Sequence, residues 1–384
     1  MSESSHHHVL TVNAGSSSLR LSTHALASNP HCVTEVHLTP APTPDPSVLR
    51  EYLKQHALPT PALVMHRVVH GGEKLREPGW IDAAVEAEIE RLKGLAPLHN
   101  GVGLQWIRVA REAFPEIPQA GSYDTAFYAQ LPAVASHYAV PFEMRERYGL
   151  RRYGFHGLAH QSMLASLRDA GNADTHRRVI SLQLGAGCSI TAIDHGWPVE
   201  TSMGFSPLEG LMMATRCGDL DPAAVLYLMD EAGFSPAELG WILNESSGLR
   251  GISGQSGDMK ALLESGTERA ELAIGVFCHR IRHYLGAYLG VLGGADAILF
   301  GGGIGEQAPE VRARVLDQFN WAGIVLDTAR NRSAPPGTTS PIHADDSPVE
   351  IWVTPTDEEG VMAHDAHQLW QQAKHVSRSE GDPT

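Results

Sequence analysis

Residues 9–22, VLTVNAGSSSLRLS, read as a strand, a small polar tip and a second strand, because β-branched and leucine positions flank a Gly/Ser cluster. Residues 179–193, VISLQLGAGCSITAI, repeat that plan about 170 residues later. Two such units predict two related halves, each opened by a hairpin. Two ordinary hairpins in an α/β protein are the plainer alternative. At 384 residues the chain has the length of two domains.

Working outward, Pro40, Pro42, Pro44 and Pro46 break any helix and predict a surface loop. Helices are expected over Asp82–Leu95, with an aspartate cap, and Val102–Phe114. After the second hairpin, helical patterns fall near 207–215, 222–232, 236–244 and 258–264. The segment Glu268–Leu292 has the strongest helical periodicity. A strand AILF then runs into Gly301, Gly302, Gly303 and Gly305, with a helix from Pro309, a Pro/Ser loop over 333–348, a strand EIWVT and a last helix from about Asp357. Alternating strands and helices predict an α/β fold.

The composition is globular, with 42% hydrophobic and 19% charged residues, and the net charge is −15. So acidic a chain disfavours a nucleic-acid binder, which needs clustered lysine and arginine. It also repels small anions unless cations gather locally. The four cysteines (Cys32, Cys188, Cys217, Cys278) form no CxxC pair, which argues against a zinc ribbon or a disulfide framework and for a reducing cytoplasm. The N-terminus lacks a signal-peptide pattern, and no run of 18 apolar residues exists. A soluble, cytoplasmic protein without membrane partners is expected.

Three glycine-rich tips follow strands, at Asn13–Ser18, Leu184–Ser189 and Gly301–Glu306. Bare backbone N–H groups at such tips bind phosphate. No GxxxxGK[ST], GxSxG or HExxH occurs, which excludes a P-loop nucleotidase and argues against a serine hydrolase and a zinc protease. Gly303-Ile-Gly305-Glu-Gln-Ala308 satisfies the dinucleotide pattern GxGxxA, with Asp327 at the end of a further strand as the acidic partner, but it leaves the other two tips unexplained. Cations stand beside glycines in HRVVHGGE (Arg67), RRYGFHGLAH (His156) and TRCGD (Arg216), a pattern suited to an anion site. Taken singly, a surface ion pair explains either arginine and a satisfied core position explains the histidine. Asp124 in SYDTAF and Glu358 in TPTDEEG follow strands, where carboxylates can hold Mg²⁺. Amide-lined tips, a metal and cations together are the parts of phosphoryl transfer.

The motifs VNAGSSSLR, HRVVHGGE, APLHN, YDTAF, RRYGFHG, TSMGFSPLEGLMMATRCGDLDP, GISGQSGDMK, GGIGEQ and TDEE occur in the order of the acetate kinase family (acetate/propionate kinases), which the chain resembles from residue 9 to about 365. The resemblance implies a duplicated ribonuclease-H-like fold of the actin and sugar-kinase type, with a cleft between two domains. It places an N-terminal domain over 1–150, joined by the last helix (about 360–384), and a nucleotide-binding domain over 151–360. It further implies a homodimer, for which the 268–292 helix is a candidate interface or, equally, a core helix.

Site roles follow from the resemblance residue by residue. Asn13 and Glu358 would serve Mg²⁺, with Mn²⁺ as an alternative ion; Asn13 would also meet phosphates. Arg67 and Arg216 would bind the acyl carboxylate and the moving phosphoryl group, with His156 stabilising its charge and Asp124 as the essential aspartate. Val69, Leu98, Phe155 and Pro207 match the small acyl pocket; without the resemblance they read as core. Arg20, Gln183, Leu184, Gly185, Ala186 and Gly187 would hold phosphates. Asp258, Met259, Lys260, Gly303, Ile304, Gly305, Glu306 and Gln307 would hold the adenosine of ATP or ADP. Four positions depart from the family: Arg20 for Lys, Gln183 for His, Ala186 for Asn and Gln307 for Asn. Ala186 removes an amide facing the donor, which leaves another nucleotide or pyrophosphate as alternatives to ATP. The implied reaction is reversible conversion of acetate and ATP to acetyl phosphate and ADP. Propionate or butyrate is the same-chemistry alternative, and a weakly catalytic phosphate- or nucleotide-binding relative is the alternative of another class.

Overall fold

The computed structural model describes residues 7–15, 18–27, 30–96, 99–172 and 176–379. The chain divides into two units, Met1–Ala129 with Asp357–Thr384, and Gln130–Thr356. Residues 130–150 fall in the second unit, tied there by Arg152 N–H donating to the Ser136 carbonyl at 2.7 Å and Tyr153 N–H to Gly204 at 3.0 Å. A split drawn between hairpins cannot show those bonds.

In the first unit β1 (His8–Ala14), β2 (Leu19–Ala25), β3 (Cys32–Leu38), β4 (Leu63–Val68), β5 (Gly79–Trp80) and β6 (Gln119–Tyr123) form a sheet in the order β3-β2-β1-β4-β6-β5. The first three are antiparallel, β1, β4 and β6 are parallel, and β5 closes the edge antiparallel. In the second unit β7 (Arg178–Leu184), β8 (Cys188–Asp194), β9 (Trp197–Thr201), β10 (Ala297–Gly301), β11 (Ser340–Pro341) and β12 (Glu350–Val353) form a sheet that, taken from its β9 edge, runs β9-β8-β7-β10-β12-β11. Its directions match the first strand for strand. The two hairpins thus open two copies of one α/β plan.

Side-chain alternation along β1 sorts residues to two faces. Leu10, Val12 and Ala14 enter a core with Leu49 and Tyr52 of the helix Pro46–Gln55 and Trp106 and Ala110 of the helix Asn100–Ala113. Asn13 therefore points to the opposite face, where the C-terminal helix Glu358–Ser379 packs on β1 and β4. Asp45 and Asp82 cap their helices by accepting from Ser47 and Val85 N–H, which satisfies backbone donors that the first turn leaves open. In the second unit the 25-residue helix Glu268–Leu292 forms as its periodicity predicts and packs on β8 with Phe277 and Ile281 fully buried.

The helix expected near 207–215 does not form. Gly210 has φ of 106°, and its N–H donates to Asp219 Oδ1 at 2.8 Å. Met213 and Ala214 donate their N–H groups to the carbonyls of Arg216 and Ala186. Backbone donors spent across loops cannot close helical turns, and an apolar run, GLMMA, mimics helical periodicity without forming one.

Candidate active site

In the first unit Asn13, Arg67 and Asp124 stand at the same end of the adjacent parallel strands β1, β4 and β6. Carboxyl ends of parallel strands are where α/β sheets place ligands. Arg67 Nε and Nη2 donate to Asp124 Oδ1 and Oδ2 at 2.9 and 2.8 Å. Its Nη1 reaches Asn13 Oδ1 at 3.1 Å and Glu358 Oε2 at 2.9 Å. Asn13 Nδ2 donates to Glu358 Oε2 at 2.8 Å and Glu359 Oε1 at 2.7 Å. Arg20, opposite Asn13 on β2, lies 3.6 Å from Glu359. Burial works against the Arg67 charge, but Asp124 and Glu358 outweigh it and hold its pKa above the ordinary value. Burial, and then Glu358, push the Glu359 carboxyl above its usual range.

Three carboxylates (Asp124, Glu358, Glu359) thus meet two guanidinium groups (Arg67, Arg20). The cluster keeps an acidic excess. Within this unit both arginines are already paired with carboxylates. Carboxylate and amide oxygens with one uncompensated negative charge are the donor type a hard divalent cation such as Mg²⁺ takes, while among the described residues no three acidic, histidine or cysteine side chains are arranged as a metal site by themselves. Behind it, Ser122 donates to Asp365 at 2.7 Å, and burial pushes the Asp365 carboxyl up to about 6.

In the second unit the tip between β7 and β8 is three residues, Gly185, Ala186 and Gly187, closed by Gly185 N–H to the Gly187 carbonyl at 3.0 Å. A Cβ on Gly187 would sit 3.0 Å from His156 Nε2 and 3.7 Å from Arg216 Nη1. The two cations therefore converge on bare backbone. His156 precedes the helix Gly157–Leu167 with φ of 57°, a strained left-handed conformation for a non-glycine residue, and its Nδ1 lies 3.0 Å from Ser189 Oγ. Arg216 Nη1 donates to the Pro207 carbonyl at 3.0 Å, and among the described residues no carboxylate pairs with this guanidinium. Burial, only partly countered by Cys188 and Glu245, holds its pKa below the ordinary value. A half-buried arginine without a carboxylate counter-ion is a place for an anion.

Beside the tip lies a cavity of about 780 Å³ lined by Gly185, Ala186, Asp258, Met259, Lys260, Gly303, Ile304 and Gln307. Eight of the residues expected at phosphates and adenosine therefore share one cavity. Gln183, Leu184, Gly187, Gly305 and Glu306 flank it in sequence without lining it; Leu184 is fully buried, and Arg20 belongs to the first unit. Of the acyl-pocket residues, Val69 is buried in the first unit and Phe155 and Pro207 in the second, while Leu98 lies outside the described residues. Arg152 binds Glu209 at 2.7 Å and the Ser202 carbonyl at 3.0 Å, which makes it a structural cation.

The dinucleotide pattern fails on its acidic partner. Asp327 caps the helix Thr328–Ser333, accepting from Ala329 and Arg330 N–H at 2.8 and 2.9 Å, and the sheet is mixed rather than doubly wound parallel. Sequence reasoning missed Glu359, although it adjoins Glu358. It also missed Ser189, His160 and the cavity residues Ala214, Glu264 and Arg314. Only adjacency could have pointed to Glu359, because the others are brought in by tertiary packing.

The pattern of the acetokinase family matches residues 48–364. The chain is 46% identical over 311 residues to an acetate kinase of Chloroherpeton thalassium, covering 79% of this chain and 75% of that one. It is 46% identical over 310 residues to an acetate kinase of Solibacter usitatus, covering 79% and 74%. The crystal structure of a Porphyromonas gingivalis acetate kinase superposes with a TM-score of 0.83 at 32% identity, over 95% of this chain and 100% of that one. A propionate kinase from Francisella tularensis gives the same TM-score and identity, 0.83 and 32%, over 94% and 98%.

Proposed function

Because the chain belongs to the acetokinase family, kinases that transfer a phosphoryl group to a carboxylate, we propose that it converts acetate and ATP reversibly to acetyl phosphate and ADP. The observation that carries this reading is Arg216, half-buried without a carboxylate partner among the described residues and converging with His156 on the bare backbone of Gly187. Attack of a carboxylate on a phosphate brings two anions together, so the barrier a protein lowers is mainly electrostatic. The nucleophile is ionised at neutral pH, so no general base is required. Arg216 and His156 offer positive charge and N–H donors to the equatorial oxygens of the moving group. Arg67, whose nitrogens are all engaged, orients Asp124, Asn13 and Glu358 and meets the acyl carboxylate with its remaining donor capacity.

Mg²⁺ bound by Glu358 and Asn13, with Glu359 alongside, would supply charge neutralisation for the donor phosphates. ATP is favoured over pyrophosphate because a cavity of about 780 Å³ next to the tip is of a size suited to a nucleoside, and pyrophosphate has no use for it. Ala186 leaves only its backbone at that edge. Its carbonyl accepts from Ala214 N–H at 3.0 Å, so the tip keeps its shape without an amide side chain.

The equal likeness to a propionate kinase supports a second reading of the acceptor, with propionate in place of acetate. Trapping the acyl phosphate with hydroxylamine, across acetate, propionate and butyrate and across ATP and pyrophosphate, decides both choices. The reading predicts hydroxamate with ATP, Mg²⁺ and acetate. A kcat/KM that rises strongly with chain length overturns the acetate assignment, and no product with any donor overturns kinase activity. We place the enzyme in the cytoplasm, in keeping with its free cysteines, and as a homodimer. Among the described residues no helix is long and apolar enough to cross a membrane. Sedimentation at a mass of two chains is the expected result for the dimer.

A further inference from the structure

Behind His156 three polar side chains and the sulfur of Met163 form one hydrogen-bonded row. Ser189 Oγ lies 3.0 Å from His156 Nδ1 and 2.8 Å from His160 Nε2; His160 Nδ1 lies 2.7 Å from Ser181 Oγ; and Ser181 Oγ donates to Met163 Sδ at 3.7 Å. Ser181, Ser189 and His160 are fully buried at 0% exposure, so their polar atoms depend on one another for partners. Burial pushes His160 down to about 3, which makes it a neutral imidazole with a single ring proton. A neutral imidazole between two hydroxyls donates on one side and accepts on the other. The row therefore has one direction throughout.

Running inward, His156 Nδ1–H donates to Ser189, Ser189 to His160 Nε2, His160 Nδ1–H to Ser181, and Ser181 to Met163. Running outward, the serine proton turns to His160 and the bond to Met163 is forfeited. We infer that Ser189, His160 and Ser181 are positioning residues that hold the proton of neutral His156 on Nδ1, so that Nε2 can donate to a phosphoryl oxygen only once His156 is an imidazolium. This rests on the proposed role of His156 at the transferred group.

The consequence lies on the Nε2 side, where Gly187 and Arg216 converge. A lone pair aimed at a phosphoryl oxygen repels it, whereas an imidazolium N–H binds it. Arg216, from the loop after β9, converges with His156 on Gly187, and His160 reaches His156 through Ser189; Cys188 on β8, whose thiol burial pushes up to about 12, lies in the field of Arg216. Arg216 by itself opposes a second cation beside it. The arriving phosphoryl anion removes that opposition, so proton uptake and donor binding are linked. A requirement for the imidazolium makes turnover decline toward alkaline pH.

The test uses full-length enzyme with ¹⁵N-labelled histidine, the His156 signal being assigned with His156→Gln. The wild type is expected to show the Nδ1–H tautomer at high pH, and Ser189→Ala to lose that preference. In Ser189→Ala, kcat at neutral pH falls about tenfold, the scale of one hydrogen bond to a charged group, with KM little changed and the alkaline decline flattened. Ser189→Thr keeps a hydroxyl on a strand that tolerates β-branching, and restores both tautomer and pH profile. An Nε2–H tautomer in the wild type, or a Ser189→Ala enzyme with unaltered tautomer and pH profile, overturns the inference. The spectra need no turnover, so an enzyme inactive with every acid and donor fails the proposed function while leaving the tautomer result to stand separately.

Discussion

The two units share a strand plan and treat their arginines in opposite ways. In the first hairpin Asn13 pairs with Arg20 before the tip, and in the second Gln183 pairs with Ser189. On the neighbouring parallel strand, Arg67 follows the residue paired with Val12, whereas Gly301 sits beside Gln183. The first unit fills these places with charge and builds an ionic cluster whose arginines are satisfied. The second fills them with small or neutral groups, leaves backbone around a cavity, and brings Arg216 in from a loop without a carboxylate. A duplicated scaffold fixes positions; the residues at them decide whether a cation supports the structure or waits for a ligand.

The largest expected effect separates the two arginines by activity. Arg216→Ala should lower kcat by about 10³ or more, as for arginines that neutralise a transferring phosphoryl group. Its melting temperature should stay level or rise, because a half-buried charge without a carboxylate partner has been removed. Arg67→Ala should cost about 3–5 kcal/mol in urea unfolding by stranding Asp124 and Glu358, and adding Asp124→Asn should recover part of that loss. Equal stability costs at the two arginines would erase the comparison.

Smaller effects sharpen it. Glu359→Gln should weaken Mg²⁺ binding about tenfold in a calorimetric titration, the scale for a carboxylate beside a metal site. Asp365 supplies a pH signature. Its folded pKa of about 6 lies above the ordinary 3.8, so the stability it contributes is complete below about pH 4 and is lost as pH rises through about 6. Asp365→Asn should flatten the unfolding free energy across that window. The smallest change expected is Val69→Ala, which should shift kcat/KM toward propionate over acetate by about tenfold or less.

Much of this was legible in the sequence for a physical reason: hairpins, strands and long amphipathic helices are local patterns. The repeat of VLTVNAGSSSLRLS in VISLQLGAGCSITAI announced the duplication, and Asp82 announced its helix. GLMMA deceived because its backbone donors are taken by Asp219, Arg216 and Ala186, none of them a preceding helical turn. Asp124, Glu358 and Arg216 were legible from their place after strands or beside glycines and from the family resemblance. Their states were not. That Arg67 is paired with carboxylates and Arg216 is not depends on which carboxylates the fold delivers, and the row from His156 to Ser181 joins residues 25 apart across a helix and two strands.

Anion-induced stabilisation tests the contrast between the two arginines most directly. Melting temperatures of the wild type, Arg67→Lys and Arg216→Ala are to be measured against sulfate at constant ionic strength. Sulfate should raise the melting temperature of the wild type and of Arg67→Lys, and leave that of Arg216→Ala unmoved. A sulfate shift that survives in Arg216→Ala, or vanishes in Arg67→Lys, would contradict the assignment of Arg216 as the open cation.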